Sequence, residues 1–307
     1  MKPRYSIIIP HYNDFKRLQR LLDSIPLHRK DIEVLVIDDC SPDQAPLAQL
    51  KKTYSTVVWL DSEKNAGAGH ARNIGLDHIT GQFLLFADSD DEFTEDAFEI
   101  IDSEITDDIE LYYFLAKGVH ESSLEPSDRA VYFNHLCHEY IKNPSIENTI
   151  ELKGGHLVPW AKVYKTKVIK KLGVRHDTTM VANDMAFNML SALQIERIKV
   201  IPETIYNLYR RSKSLTTDLS KETFLTRLNV SVDVSRRLKE AGIPYRRPAS
   251  RYLLLSVNYG PKVFLKVLWT ALTSDLKLDF MKAFSIKKWR HHFYTRKQTK
   301  KELDKLN

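Results

Sequence analysis

Hydrophobic residues in the first hundred positions form short solid runs separated by segments of helical spacing. Tyr5 to Ile9 is a β-branched run closed by Pro10, which predicts a buried strand. In the loop His11-Tyr12-Asn13-Asp14, Asn13 or Asp14 is placed to cap a helix. Phe15, Leu18, Leu21, Leu22 and Ile25 then recur at helical spacing until Pro26. Glu33 to Ile37 predicts a second strand, Ala45 to Tyr54 a helix, and Val57 to Leu60 a third strand. Asn65-Ala-Gly-Ala-Gly69 leads into a helix carrying His70, Arg72 and Asn73. Phe83 to Ala87 is a further strand, and a helix follows from about Thr94 to Glu104. Alternation of this kind predicts right-handed β-α-β units and an α/β fold with a mostly parallel sheet flanked by helices.

Beyond residue 115 the pattern loosens. Residues 121–129 are polar and contain Pro126, as a loop or insertion would be. Leu136, Tyr140 and Ile141 suggest a helix, and the neighbouring His135, Cys137 and His138 match no zinc-ligand spacing. Ala186, Phe187, Leu190 and Leu193 give a helix an apolar face, with Asn183 or Asp184 at its start, where the helix dipole favours a carboxylate. From about Ser220 onward the pattern is helical throughout.

Charge is unevenly placed. The formal net charge is +6, yet residues 261–307 hold 12 Lys/Arg against 4 Asp/Glu, so the rest of the chain is slightly acidic. A nucleic-acid groove through the body is therefore not expected. The basic tail is interleaved with Trp269, Phe280, Phe284, Trp289 and Phe293. That mixture fits a segment lying on an anionic membrane surface, and equally a helix packed on the body with one solvated face. Two cysteines, Cys40 and Cys137, exclude a disulfide framework and fit a reducing compartment. No stretch approaches the roughly 20 apolar residues that span a bilayer. The expected location is cytoplasmic, at most peripheral on the inner face of the membrane.

Candidate chemistry gathers at strand ends. Ligands of open α/β sheets bind outside the carboxyl ends of the strands. Pro10 to Asn13, Asp38-Asp39 and Asp88-Ser89-Asp90-Asp91 all lie there. Three carboxylates within four residues repel one another unless a positive charge joins them. A hard divalent cation shared with phosphates supplies that charge, whereas a polar helix-capping loop is the plainer alternative. Gly67 and Gly69 match two glycines of a dinucleotide fingerprint, but Arg72 stands at the third, so nicotinamide binding is disfavoured.

Four segments taken in order resemble the nucleotide-sugar-binding half of family 2 glycosyltransferases of the GT-A fold. They are Ser6-Ile-Ile-Ile-Pro-His-Tyr-Asn13, Val36-Ile-Asp-Asp-Cys-Ser-Pro-Asp43, Asn65-Ala-Gly-Ala-Gly-His-Ala-Arg-Asn-Ile-Gly75 and Leu85-Phe-Ala-Asp-Ser-Asp-Asp91. The resemblance implies that Pro10 and Tyr12 border the base, Asp39 accepts a hydrogen bond from it, and Arg72 packs nearby. Asp88 and Ser89 would lie near the ribose. Asp90, with help from Asp88, would hold Mn²⁺ or Mg²⁺ on the diphosphate.

Later segments extend the likeness. Trp160 and Lys162 resemble the family's Trp-x-Lys segment, and Asp184 its general base, although Asn183 stands where the family usually has Glu. Trp160 could face a sugar ring or sit in the core. Arg210, Arg211 and Lys213 could neutralise phosphates or form a solvated loop. The implied activity is inverting transfer of a sugar from a nucleotide-sugar, commonly a UDP-sugar, to a glycan or lipid-linked acceptor in bacterial surface-polysaccharide synthesis. The implied domains are a GT-A domain at 1–217, whose donor half is 1–115 and acceptor half 116–217, and a helical basic region at 218–307. A nucleotidyltransferase would want a cationic loop after the first strand, which His11-Tyr-Asn-Asp14 is not. A scaffold recruited to membranes would not need Asp88, Asp90 and Asp184 together.

Overall fold

The computed structural model describes residues 2–211, 218 and 220–278. They divide into two compact units, Met1–Arg211 and Ser212–Asn307. In the first unit the order is β1 (Tyr5–His11), α1 (Phe15–Asp23), β2 (Ile32–Asp38), α2 (Gln44–Thr53), β3 (Val58–Asp61), α3 (Ala68–His78), β4 (Phe83–Phe86), β5 (Glu92–Phe93) and α4 (Ala97–Glu104). There follow β6 (Leu111–His120), α5 (Val131–Lys142), α6 (Ile146–Gly155), β7 (Lys162–Lys165), α7 (Thr166–Leu172), α8 (Met185–Gln194) and β8 (Ile198–Arg210).

Among the described residues, eight strands form one mixed sheet in the order β3-β2-β1-β4-β7-β6-β8-β5. β1 runs parallel to β2 and β4, β2 to β3, and β6 to β8. β7 is antiparallel between β4 and β6, and β5 is antiparallel to β8. The strands read as solid apolar runs because both faces are covered. Ile7, Ile9, Val36 and Leu85 enter one core with Leu18 and Leu22 of α1. Ile8, Leu35, Ile37 and Phe86 enter the other with Ala71 of α3 and Phe187 of α8.

Two boundaries differ from expectation. Pro10 does not end β1: Pro10 pairs with Ile37 and His11 with Asp38. The β1–β4 ladder stops at Ile8↔Phe86, so the missing N–H of Pro10 falls where β4 is absent and costs the sheet nothing. The helix expected from Thr94 begins at Ala97, because Glu92 and Phe93 are taken up as β5 against Tyr206 and Asn207.

The second unit contains α9 (Lys221–Glu240), α10 (Ser250–Ser256) and α11 (Pro261–Thr273) around Phe224, Leu228, Tyr252, Val263, Val267 and Ala271. Leu265, Trp269 and Leu272 lie on the exposed face of α11. Lys213 and the aromatic residues from Phe280 onward lie outside the described residues. No helix among the described residues is long and apolar enough to cross a membrane.

Candidate active site

The turn Asp88-Ser89-Asp90-Asp91 leaves β4 at the carboxyl edge of the sheet. Its charges are separated by distinct partners. Arg72 Nη2 donates to Asp88 Oδ1 at 2.6 Å, and Arg211 pairs with the Asp90 carboxylate. Arg20 donates to the Asp90 carbonyl and stacks 3.7 Å from the Tyr209 ring centre. Asp91 is fully buried and accepts from the Tyr209 N–H at 2.9 Å. Burial, then the nearby Asp90, pushes its carboxyl well above the usual range, against the pull of Arg129. Asp91 is thus a buried support tied to β8, and not the cap of the next helix. The Asp88 N–H donates to the hydroxyl of buried Tyr206 at 2.8 Å.

Asp88 and Asp90 keep 22% and 17% of their side-chain surfaces accessible, whereas Asp91 keeps none. Two accessible hard carboxylates fit a Mg²⁺- or Mn²⁺-type ion, which takes one or two carboxylates and completes its shell with phosphate oxygens and water. Among the described residues no group of three or more His, Cys, Asp or Glu is gathered to hold a metal ion. Asp88 and Asp90 are thus the residues that would hold such an ion, with phosphate oxygens and water completing its shell.

The nucleotide-side residues occupy the neighbouring strand ends. Pro10 is buried within β1 and Tyr12 is 49% exposed beyond it. Asp39 accepts from the Ala66 N–H at 3.1 Å and the Gly67 N–H at 2.6 Å, so its carboxylate fastens the Gly-rich segment to β2. Each oxygen retains a second lone pair for another donor. Gly67 holds φ +86° at the start of α3, a backbone setting that favours glycine. Asp14 stands at the N-cap of α1 without making the expected capping bond. Its carboxylate goes to Arg17 at 2.7 Å and Arg211 at 3.4 Å.

The segment from 174 to 184 crosses the start of α3. The Asn73 side chain both donates to the His176 carbonyl and accepts from its N–H, each at 2.9 Å. The Asp177 N–H donates to the Asn183 carbonyl at 2.9 Å. Gly69 passes so close beneath that an added Cβ would stand 1.9 Å from the Asp177 oxygen. Arg72 Nη1 reaches Asn183 Oδ1 at 3.1 Å. One buried guanidinium therefore joins Asp88 of the acidic turn to Asn183, the residue before Asp184. Its burial and its ion pair with Asp88 fix the guanidinium in place, since a buried cation is held where its carboxylate is.

Asp184 sits at the N-cap of α8 with no capping bond from its side chain. Burial raises its carboxyl to about 6, opposed by Arg72 and Lys162 and aided by Asp88. A carboxylate poised near neutrality suits a general base.

Other expected contacts lie elsewhere. Trp160 is 4% exposed, stacked on Tyr206 and edge-on to Phe133, so the core alternative holds and no ring face is left open. Lys162 is buried against the His156 carbonyl and Asn188. Arg210 pairs with Asp128, while its neighbour Arg211 reaches the acidic turn, as alternation along a strand end requires. The segment Ile205-Tyr-Asn-Leu-Tyr-Arg210 resembles a family segment in sequence, but the roles of Tyr206 and Tyr209 under the acidic turn were not expected. Asn188 carried no signal of its own within α8.

The profile described as "Glycosyl transferase family 2" matches residues 6–173. Glycosyltransferase GlyA of Streptococcus pneumoniae is 31% identical over 226 residues, covering 69% of this chain and 31% of that protein. Poly(ribitol-phosphate) beta-N-acetylglucosaminyltransferase TarS of Staphylococcus aureus is 29% identical over 217 residues, covering 66% of this chain and 35% of its own. The chain thus spans about a third of the length of these two relatives. Among solved structures, TarS residues 1–349 with UDP-GlcNAc superposes with a TM-score of 0.58 at 20% identity, over 89% of this chain and 74% of that one. Mannosyltransferase PcManGT from Pyrobaculum calidifontis with GDP-Man and Mn²⁺ gives 0.54 at 15% identity, over 99% and 84%. Both share the fold.

Proposed function

The chain belongs to glycosyl transferase family 2, and from that premise we propose that it transfers a sugar from a UDP-sugar to a hydroxyl of a glycan or lipid-linked acceptor, with inversion. The observation that carries the reading is Arg72, which ties Asp88 to Asn183 and so sets the acidic turn beside the base Asp184. Asp184 takes the proton of the acceptor hydroxyl, whose oxygen bonds to the anomeric carbon as the bond to the diphosphate breaks on the opposite face. UDP leaves with that electron pair. Asp90 and Asp88 would hold a divalent cation, which supplies Lewis-acid stabilisation to the departing diphosphate. Arg211, now on Asp90, offers a bidentate donor to the same phosphates. Tyr12, exposed beyond β1, borders the base with Pro10, while Asp39 presents its spare lone pairs and Ser89 faces the ribose.

TarS, solved with UDP and with UDP-GlcNAc and described as a poly(ribitol-phosphate) beta-N-acetylglucosaminyltransferase, supports the donor and acceptor classes by likeness. The partner surface we assign to the second unit is an anionic membrane. On α11 the exposed Leu265, Trp269 and Leu272 are flanked by Lys262 and Lys266, with no acidic residue in the helix. Trp at a headgroup boundary with lysines beside it is the pattern of an interfacial helix.

The test is release of UDP from UDP-glucose, UDP-galactose and UDP-GlcNAc, with and without Mn²⁺, by the unmodified chain and by Asp90→Asn and Asp184→Asn. Metal-dependent release lost in Asp90→Asn, with transfer lost in Asp184→Asn, is expected. Transfer at unmodified rates in Asp184→Asn would sink the mechanism.

A further inference from the structure

Lys162 is a buried cation with no part in the transfer itself. It opens β7 and is 1% exposed. Its ammonium donates to the His156 carbonyl at 2.6 Å and to Asn188 Oδ1 at 2.8 Å, and lies 5.2 Å from the Tyr113 ring centre. Asn188 is completely buried on α8. Its Oδ1 also accepts from the Tyr164 hydroxyl at 2.9 Å, and its Nδ2 donates to the Leu157 carbonyl at 3.1 Å and the Asp184 carbonyl at 2.8 Å. All four hydrogen-bonding sites of the amide are used.

The direction of that amide has a cause. An ammonium has no acceptor, so only the amide oxygen can face Lys162, and the NH₂ must face Asp184. The Asp184 carbonyl then receives two donors from one residue, the Asn188 side chain and its backbone N–H at 3.0 Å. The residue bearing the base is pinned from below.

Charge acts along the same line. Asp184 faces Arg72 of α3, Asp88 of the acidic turn and Lys162 of β7. Lys162 faces Asp184 and Cys137 of α5, with His156, Tyr113 and Tyr164 around it. Burial lowers the amine to about 7, and Asp184 and Cys137 oppose that fall. Lys162 in turn favours the ionised form of Asp184. A buried charge is screened little by salt, so this influence persists over distances that fade at the surface.

We propose that Lys162 is a positioning residue for Asp184: it orients the Asn188 amide that pins the start of α8, and its buried charge adds to that of Arg72 in favouring the carboxylate. The inference rests on the transferase reading of Asp184, so the test has a readout independent of turnover. Carboxyl-labelled aspartate is followed by ¹³C NMR against pH, with the Asp184 signal identified by its loss in Asp184→Asn. The pH profile of kcat/KM for sugar transfer is measured alongside. Lys162→Gln removes the charge and keeps a donor; Lys162→Met removes both. Tyr164→Phe removes the uncharged partner of Asn188.

Both Lys162 variants are expected to move the Asp184 titration and the acid limb of kcat/KM to higher pH, with a larger loss at pH 6 than at pH 8. Tyr164→Phe should leave both in place. In the unmodified protein the Asp184 signal should show a second inflection where Lys162 titrates, which needs no variant to fold. An equal loss at every pH with an unmoved titration overturns the proposal, as does a missing second inflection. A moved titration in a protein that transfers no sugar keeps the coupling and sinks the transferase reading. Transfer lost in Asp184→Asn with no movement in either Lys162 variant sinks the coupling alone.

Discussion

Replacing Gly69 by alanine should disable turnover without unfolding the protein. The added Cβ would stand 1.9 Å from the Asp177 carbonyl oxygen and 2.9 Å from Asn183 Cβ. An ordinary contact begins near 3.4 Å, so the crossing segment must retreat by about 1.5 Å. That retreat is passed on, because the Asp177 N–H is bonded to the Asn183 carbonyl and Asn183 holds Arg72. Asp184 is the next residue. Misplacing a reacting group by about 1 Å can lower the rate roughly 100-fold. Alanine is also the better helix former by about 1 kcal/mol, which offsets part of the strain within α3. Turnover with a UDP-sugar, with a thermal melt beside it, checks this: kcat should drop about 100-fold while Tm moves by only a few degrees. A Gly69→Ala protein whose kcat stays within threefold of the parent would refute the close packing.

Three further outcomes are expected. The kcat/KM profile should fall tenfold per pH unit below about 6, where Asp184 takes up its proton; a profile flat from pH 5 to 8 excludes Asp184 as base. The same carboxyl titrates higher in the native state than in the unfolded chain, so native stability is lost as pH rises from about 4 to about 6. Asp184→Asn should therefore stabilise at pH 7.5 by about 1–3 kcal/mol and by almost nothing at pH 4, as read by urea titration at the two pH values. Tyr206→Phe strands the Asp88 N–H, and should cost about 1–3 kcal/mol in the same measurement; an unchanged midpoint would count against the bond. Finally, Trp269→Ser should weaken co-sedimentation with anionic phosphatidylglycerol vesicles while leaving UDP release from the donor unchanged.

The first hundred residues were legible because their central strands are buried on both faces and so read as solid runs, as Tyr5–Ile9 and Phe83–Ala87 do. Their polar loops fall at one edge by topology alone. The remainder rests on contacts that no local pattern encodes. Whether Trp160 faces a sugar or the core is decided by Tyr206, in a strand not yet reached by the chain. The partner of Asp90 is Arg211, 121 residues away, and that of Asn183 is Arg72, 111 residues away. The insertion of β7 between β4 and β6 likewise follows from sheet pairing between distant segments, which periodicity leaves open.

Strand β8 and the residue after it hold every member of the acidic turn that needs restraint: Tyr206 takes the Asp88 amide, Tyr209 gives its amide to Asp91, and Arg211 pairs with Asp90. These partners lie some 118 residues apart in sequence. The turn is thus translated early and completed late, after a loop closure that makes such non-local pairing slow. A nascent chain released before β8 would carry the acidic residues with Arg20 and Arg72, but without the partners that β8 and Arg211 supply. By the same geometry, a single inserted or deleted residue in β8 would turn its tyrosines to the opposite faces of the sheet. Length changes in β8 should therefore be tolerated far less well than changes in the segment 121–129, which lies beyond the end of β6.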